Sequence, residues 1–167
     1  MRRRIWVLAV AVLMTTAAVG SVVATADAEG HFSANLRGFQ EVPTLSVPGR
    51  GTFSAEVTDD GATLSYTLSY SGLTGDALFA HIHLGRRAIA GGVSAFLCGG
   101  GGKDACPGAA GTVSGVITAD DVVGPEDQGI SAGEFKELLT AMRVEATYVN
   151  VHTEAFPSGE IRGQIEG

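Results

Sequence analysis

Thr52-Phe53-Ser54-Ala55-Glu56-Val57-Thr58 is followed, after Asp59-Asp60-Gly61-Ala62, by Thr63-Leu64-Ser65-Tyr66-Thr67-Leu68-Ser69-Tyr70, and this stretch decides the fold class. Apolar side chains alternate with small or polar ones on both sides of the central segment. A period of two indicates β-strands. The Asp60-Gly61 step between them is a strong short-range signal for a hairpin. The stretch therefore predicts two neighbouring antiparallel strands.

Six further stretches have the same strand character, and Gly- and Pro-rich connections separate them. They are residues 31–39, 78–84, 93–97, 112–118, 145–153 and 160–166. About eight short strands in one domain are typical of a β-sandwich or a barrel. We expect an all-β domain, specifically a Greek-key-like antiparallel β-sandwich.

One segment departs from the strand pattern. Ser131-Ala132-Gly133-Glu134 has the spacing of a helix capping box, and four apolar residues then recur at helical spacing: Phe135, Leu138, Leu139 and Met142. This pattern predicts a single short helix before the penultimate strand.

The first 28 residues have the pattern of a signal peptide. Three arginines, Arg2 to Arg4, precede an apolar run from Ile5 to Met14, and two overlapping A-x-A patterns end at Ala26 and Ala28. We expect cleavage after Ala28, so that residues 29–167 form one mature domain that is secreted or associated with the cell envelope. The alternative is an uncleaved anchor, but the apolar run is shorter than the about 20 residues that span a membrane. No membrane span is expected in the mature form.

Acidic residues dominate the charge of the chain. It carries 18 acidic and 11 basic residues, a formal net charge of −7. Loss of residues 1–28 removes three arginines and one aspartate, so the mature domain is more acidic still. Binding to phosphate backbones or anionic lipids needs clustered Lys and Arg. Nucleic acid is therefore not expected as a partner.

The two cysteines, Cys98 and Cys106, enclose a glycine-rich segment. In an oxidising compartment two such cysteines should form a disulfide. A redox pair more often has the spacing C-x-x-C, and a metal site would need more sulfur ligands. We therefore predict a structural disulfide that tethers the glycine-rich loop.

Three histidines fall in predicted strands. His81 and His83 project from the same face of their strand because side chains alternate along a strand. His152 shares a face of a later strand with Tyr148 and Asn150. If the two strands pair, the three imidazoles could bind one copper or zinc ion. The alternative is that these histidines only form structural hydrogen bonds, and the sequence leaves both interpretations open.

A second polar cluster is expected beside these histidines. Glu160 and Arg162 share one face of the last strand, and a hairpin through Pro157 and Gly159 would place them near Tyr148 and Asn150. The cluster Tyr148, Asn150, Glu160 and Arg162 is predicted to be either a binding site or a buried hydrogen-bond network. The sequence contains none of the common catalytic motifs, namely a G-x-S-x-G elbow, a phosphate-binding loop or an H-E-x-x-H helix.

Three motifs together resemble those of the CHRD domain, the module named after chordin. They are Ala80-His81-Ile82-His83-Leu84-Gly85, Tyr148-Val149-Asn150-Val151-His152-Thr153 and Phe156-Pro157-Ser158-Gly159-Glu160-Ile161-Arg162-Gly163-Gln164-Ile165. The start of the mature chain, with Gln40-Glu41-Val42-Pro43, also fits. The resemblance implies an extracellular β-sandwich without a settled activity. The H-x-H strand is more distantly similar to copper/zinc superoxide dismutase, but the chain has too few histidines for a full dismutase site.

These observations lead to one expectation and one alternative. We expect a non-catalytic extracellular binding or structural module that needs no cofactor, with an unidentified extracellular protein or envelope component as its partner. The alternative is a copper- or zinc-binding, redox-capable domain that uses His81, His83 and His152.

Overall fold

A computed structural model describes residues 30–58 and 60–167, in which eight strands surround one core. The elements in chain order are β1 (His31–Arg37), β2 (Arg50–Val57), β3 (Leu64–Ser71), β4 (Ala77–Leu84), β5 (Val93–Cys98), β6 (Gly111–Ile117), α1 (Phe135–Arg143), β7 (Thr147–Thr153) and β8 (Ile161–Gln164). The predicted all-β class and the single helix before the penultimate strand are confirmed. The predicted signal peptide and Asp59 lie outside the described residues.

All eight strands belong to one antiparallel sheet. Its order is β5-β4-β7-β8-β1-β2-β3-β6. The sheet curls until its two edge strands lie close together, and the Tyr66 hydroxyl of β3 donates a 2.7 Å hydrogen bond to the Leu97 carbonyl of β5. The predicted antiparallel sandwich thus takes the form of a single, nearly closed sheet. Closure leaves little free strand edge for pairing with other chains.

The predicted hairpin forms between β2 and β3. Phe53 pairs with Leu68 and Ala55 with Tyr66, and all four are buried. The intervening Ser and Thr side chains point outward, so the alternation in the sequence becomes an inner apolar face and an outer polar face. On the other half of the sheet, Ile82 has no exposed surface and lies in the same core.

Helix α1 closes part of the core through its apolar stripe, in which Phe135, Leu138, Leu139 and Met142 are buried. Only part of the predicted capping box forms. The Glu134 carboxylate accepts a hydrogen bond of 2.7 Å from the Ser131 backbone N–H. However, the helix begins at Phe135 with Glu134 as its N-cap, and no side-chain hydrogen bond caps it. The burial of the stripe rather than capping holds this helix in place.

The predicted disulfide between Cys98 and Cys106 is confirmed, with a Cα–Cα distance of 5.0 Å. The bridge starts at the last residue of β5 and encloses the glycine-rich loop, in which the Gly99 N–H also donates to the Asp104 carbonyl at 2.7 Å. Among the residues that the structure describes, none of the helices is both long and apolar enough to cross a membrane.

Candidate metal centre

The pairing of β4 with β7 brings the three histidines together. His81 pairs with Asn150 and His83 with Tyr148 across the two strands. The histidines of β4 and the polar residues of β7 therefore lie side by side on the outer face of the sheet. The ligand nitrogens of His81, His83 and His152 all lie within 4.8 Å of one another. His81 and His83 are each only 7% exposed, and His152 is half-buried. The cluster is therefore largely withdrawn from water.

Backbone carbonyls fix two of the imidazole rings. His83 Nδ1 donates to the Gly91 carbonyl and His152 Nδ1 donates to the Pro157 carbonyl, both at 2.9 Å. Because a carbonyl only accepts, the Nδ1 atom of each neutral ring carries the proton and Nε2 carries the free lone pair. This arrangement is typical of metal-ligating histidines, whose second nitrogen is oriented by a backbone carbonyl or a carboxylate.

Two of the imidazole nitrogens have no hydrogen-bond partner. His81 Nδ1 lies 3.2 Å from His152 Nε2. In contrast, His81 Nε2 and His83 Nε2 are buried and unpaired. A buried polar atom without a partner costs about 1–3 kcal/mol, so two of them beside a third imidazole call for an explanation.

Burial keeps the cluster uncharged. It lowers the pKa of His81 to about 3, helped by repulsion from the other two histidines. It lowers the pKa of His83 to about 4, although the Gly91 carbonyl and the Asn150 side chain oppose the shift. The pKa of His152 is lowered for the same reason, against the opposing bond to Pro157. All three rings are therefore neutral at pH 7, which is the form that binds metal ions.

Aromatic side chains pack against the histidine cluster. Phe96 and His81 pack edge to face, with 4.5 Å between their ring centroids. Tyr148 stacks on His83 at 4.8 Å with only 5° between the ring planes. The Arg162 guanidinium lies 3.4 Å from the Tyr148 ring centroid and donates to the backbone carbonyl of Ile89 at 2.9 Å. Rings packed in this way restrict the rotation of both histidines on β4.

Three members of the predicted polar cluster, Tyr148, Asn150 and Arg162, do lie beside the histidines. Glu160 does not. Its carboxylate, with no exposed surface, accepts hydrogen bonds from the Thr74 N–H at 2.7 Å and from the Thr153 hydroxyl at 2.7 Å. The reason is local: β8 begins only at Ile161, so Glu160 lies in the bend before it and does not follow the alternation of the strand.

Glu41 lies beside the site, although no motif or periodicity in the sequence marks it as a site residue. This residue follows a short 3-10 helix and is only 6% exposed. Burial raises its pKa, against the lowering effects of the Val42 N–H, Arg162 and Asn150. Its Oε1 atom makes no hydrogen bond of normal geometry. No periodic pattern marks a single acidic residue in a connection, so only its place beside Asn150 reveals it.

The geometry is close to that of a metal centre. Two nitrogens bound to one tetrahedral zinc ion are about 3.3 Å apart, as follows from Zn–N distances of about 2.0–2.1 Å. The 3.2 Å between His81 Nδ1 and His152 Nε2 is of this size, but it involves a different nitrogen of His81 from the unpaired Nε2. The wider separations in the cluster, up to 4.8 Å, exceed that value, so the side chains would have to approach one another for all three to hold one ion.

Comparison with known proteins places the chain in a family. The family model of the CHRD domain matches residues 32–165, a stretch that includes nearly the whole sheet and all three clustered histidines. A search of curated proteins finds none that matches. The family supports a role as a binding or structural module, and the disulfide fits an extracellular protein. The chain belongs to the CHRD domain family.

Proposed function

We propose that this protein is an exported, non-catalytic binding module and that its histidine cluster binds one copper or zinc ion. The observation that carries the proposal is the pair of buried, unpaired nitrogens, His81 Nε2 and His83 Nε2, beside His152. A purely structural role for these histidines would leave their buried nitrogens hydrogen-bonded, as buried polar atoms usually are. A bound cation would use those lone pairs.

The chemistry of the cluster favours copper or zinc. Neutral imidazole is a ligand that suits both ions. The carbonyls of Gly91 and Pro157 hold two of the rings with Nε2 unprotonated. The sequence contains none of the common catalytic motifs, and binding rather than turnover is therefore proposed for the cluster.

Export is supported by two independent features. The Cys98–Cys106 disulfide is of the kind that persists in oxidising compartments. Residues 1–28 carry the sequence pattern of a signal peptide with a cleavage site after Ala28. The mass of the protein recovered outside the cytoplasm tests this step, because cleavage after Ala28 leaves a chain that begins at Glu29.

Metal content tests the binding step. The chain is expressed with its N-terminal segment, purified after export, exposed to copper or zinc and desalted exhaustively. We expect one equivalent of metal in the wild type and none in a His81→Ala/His83→Ala variant. His31→Ala is the matched control, because His31 is exposed on β1 outside the cluster. A wild type that retains no metal, or a double variant that retains as much, refutes the metal site.

A second candidate is the docking of an extracellular protein or envelope component. Phe39 and Ile89 are 67% and 59% exposed, and the segments that carry them meet where Arg87 donates to Gln40 at 3.4 Å. A photo-crosslinking residue placed at 39 or 89 should form an adduct with one defined partner. The same residue placed at Thr52, on the exposed polar face of β2, is the control, and equal labelling there would contradict this candidate.

A further inference from the structure

We propose that Asn150 Oδ1 is the fourth ligand of the metal site and that the buried Glu41 holds the Asn150 amide in the orientation that presents this oxygen. This inference rests on the proposed metal site. It goes further by defining a set of three nitrogens and one oxygen and by assigning a positioning role to a residue outside the histidine strands.

The Asn150 side-chain amide lies beside the histidines. Asn150 lies opposite His81 in the β4–β7 pair and is only 3% exposed. Its Oδ1 atom is 3.0 Å from His152 Nε2, and His81 Nδ1 is 3.2 Å from that same nitrogen. The 3.0 Å between Asn150 Oδ1 and His152 Nε2 is close to the about 3.3 Å that separates two ligands of a tetrahedral zinc ion. The oxygen therefore lies at ligand–ligand distance from one of the three imidazoles.

There is a conflict at His152. Its Nδ1 lies 2.9 Å from the Pro157 carbonyl, and its Nε2 lies 3.0 Å from Asn150 Oδ1. Both neighbours are acceptors, whereas a neutral imidazole has a single N–H. One nitrogen lone pair of the neutral ring therefore faces an oxygen lone pair. A cation bound by both Nε2 and Oδ1 removes this repulsion.

The orientation of the amide depends on Glu41. Glu41 Oε1 and Asn150 Nδ2 both lie close to Gly159. A Cβ atom added to Gly159 would be 2.6 Å from Glu41 Oε1 and 2.9 Å from Asn150 Nδ2. A carboxylate accepts and an amide NH2 donates, so this orientation is attractive. The flipped amide would set oxygen against oxygen. Glu41 Oε1 makes no hydrogen bond of normal geometry, so its electrostatic attraction for Nδ2 favours the orientation with Oδ1 toward the histidines.

The ligand set also limits which ions fit. Sulfur ligands, which select Cu(I), are missing from the described cluster, and an amide oxygen is a harder donor than imidazole. The carboxylate of Glu41 adds a negative charge one side chain away from the ion. We therefore infer a site for a divalent ion, Zn(II) or Cu(II), in preference to Cu(I).

The test compares Asn150→Ala and Glu41→Gln with wild type, with Asn35→Ala as a matched control on the exposed side of β1. Zinc affinity is measured by competition with a chelating dye, and the visible spectrum of the Co(II)-loaded protein reports the ligand set. We expect one equivalent of metal in each protein and, in both test variants, an affinity lower by about tenfold or more. The Co(II) bands should shift in Asn150→Ala and keep their positions in Glu41→Gln.

The outcomes separate this inference from the proposed function. An Asn150→Ala variant with wild-type affinity and an unchanged Co(II) spectrum refutes the fourth ligand while leaving the histidine site intact. Wild-type affinity in Glu41→Gln refutes the positioning role. If Asn150→Ala fails to fold, Glu41→Gln still tests the positioning role of Glu41. A Co(II) spectrum of the wild type with no sign of an oxygen ligand then refutes Asn150 as the fourth ligand.

Discussion

The buried histidines should make the metal-free protein lose stability in mild acid. Histidines of an unfolded chain titrate near pH 6.5, whereas the folded pKa values of His81 and His83 are about 3 and about 4. Because the folded pKa values lie below the unfolded one, their full contribution to stability is present above pH 6.5. That contribution is lost as the pH falls from 6.5 toward 4 and below.

The magnitude follows from the difference in bound protons. Between pH 7 and pH 5 each histidine binds most of a proton in the unfolded chain, whereas it stays neutral in the folded protein. This difference lowers the free energy of unfolding by about 2 kcal/mol per residue. His81 and His83 together account for about 4 kcal/mol, a large part of the total stability of a domain of this size. Their 7% exposure means that solvent screens this effect little.

The assay is urea unfolding in EDTA at pH 7 and pH 5, followed by far-UV circular dichroism, because the only tryptophan is Trp6 in the predicted signal peptide. His81→Phe is the informative variant, since phenylalanine keeps an aromatic ring between Phe79 and Phe96 and does not titrate. Its loss of stability over the same pH range should be about 2 kcal/mol smaller than that of wild type. The comparison cancels the opposing contribution of Glu41, whose pKa is raised. Equal pH dependence in both proteins would refute the buried, neutral state of His81.

Three further changes have expected results. Cys98→Ser should lower the free energy of unfolding by about 2.5 kcal/mol, the value for closing so short a loop, and an unchanged urea midpoint would contradict it. Gly159→Ala should destabilise the fold by about 1–3 kcal/mol because Gly159 has a φ of +122° and because the new methyl group would press on Glu41. Thermal unfolding measures this loss, and an unchanged melting temperature would contradict the close contact between residue 159 and Glu41. Glu160→Ala should destabilise the fold by about 1–3 kcal/mol for each buried donor that it leaves unpaired, Thr153 among them, yet the folded variant should keep its metal. Lost metal binding would show that Glu160 does belong to the site.

Much of the fold could be predicted from local alternation. The period of two around Asp60-Gly61 predicts the β2–β3 hairpin because neighbouring side chains of a strand must point to opposite faces. The same geometry predicts that His81 and His83 share a face. The pairing of Cys98 with Cys106 followed from their spacing and from the expected compartment, while the signal peptide stays a prediction.

The tertiary structure decided the rest, because long-range pairing depends on how the whole sheet closes. Periodicity alone does not choose β7 as the neighbour of β4, and that choice brings His152 within reach of the other two histidines. The bend before β8 turned Glu160 away from the cluster that strand alternation predicts for it. Glu41 reached Asn150 from a connection without periodicity, so only the folded chain shows that a buried carboxylate stands behind the histidines.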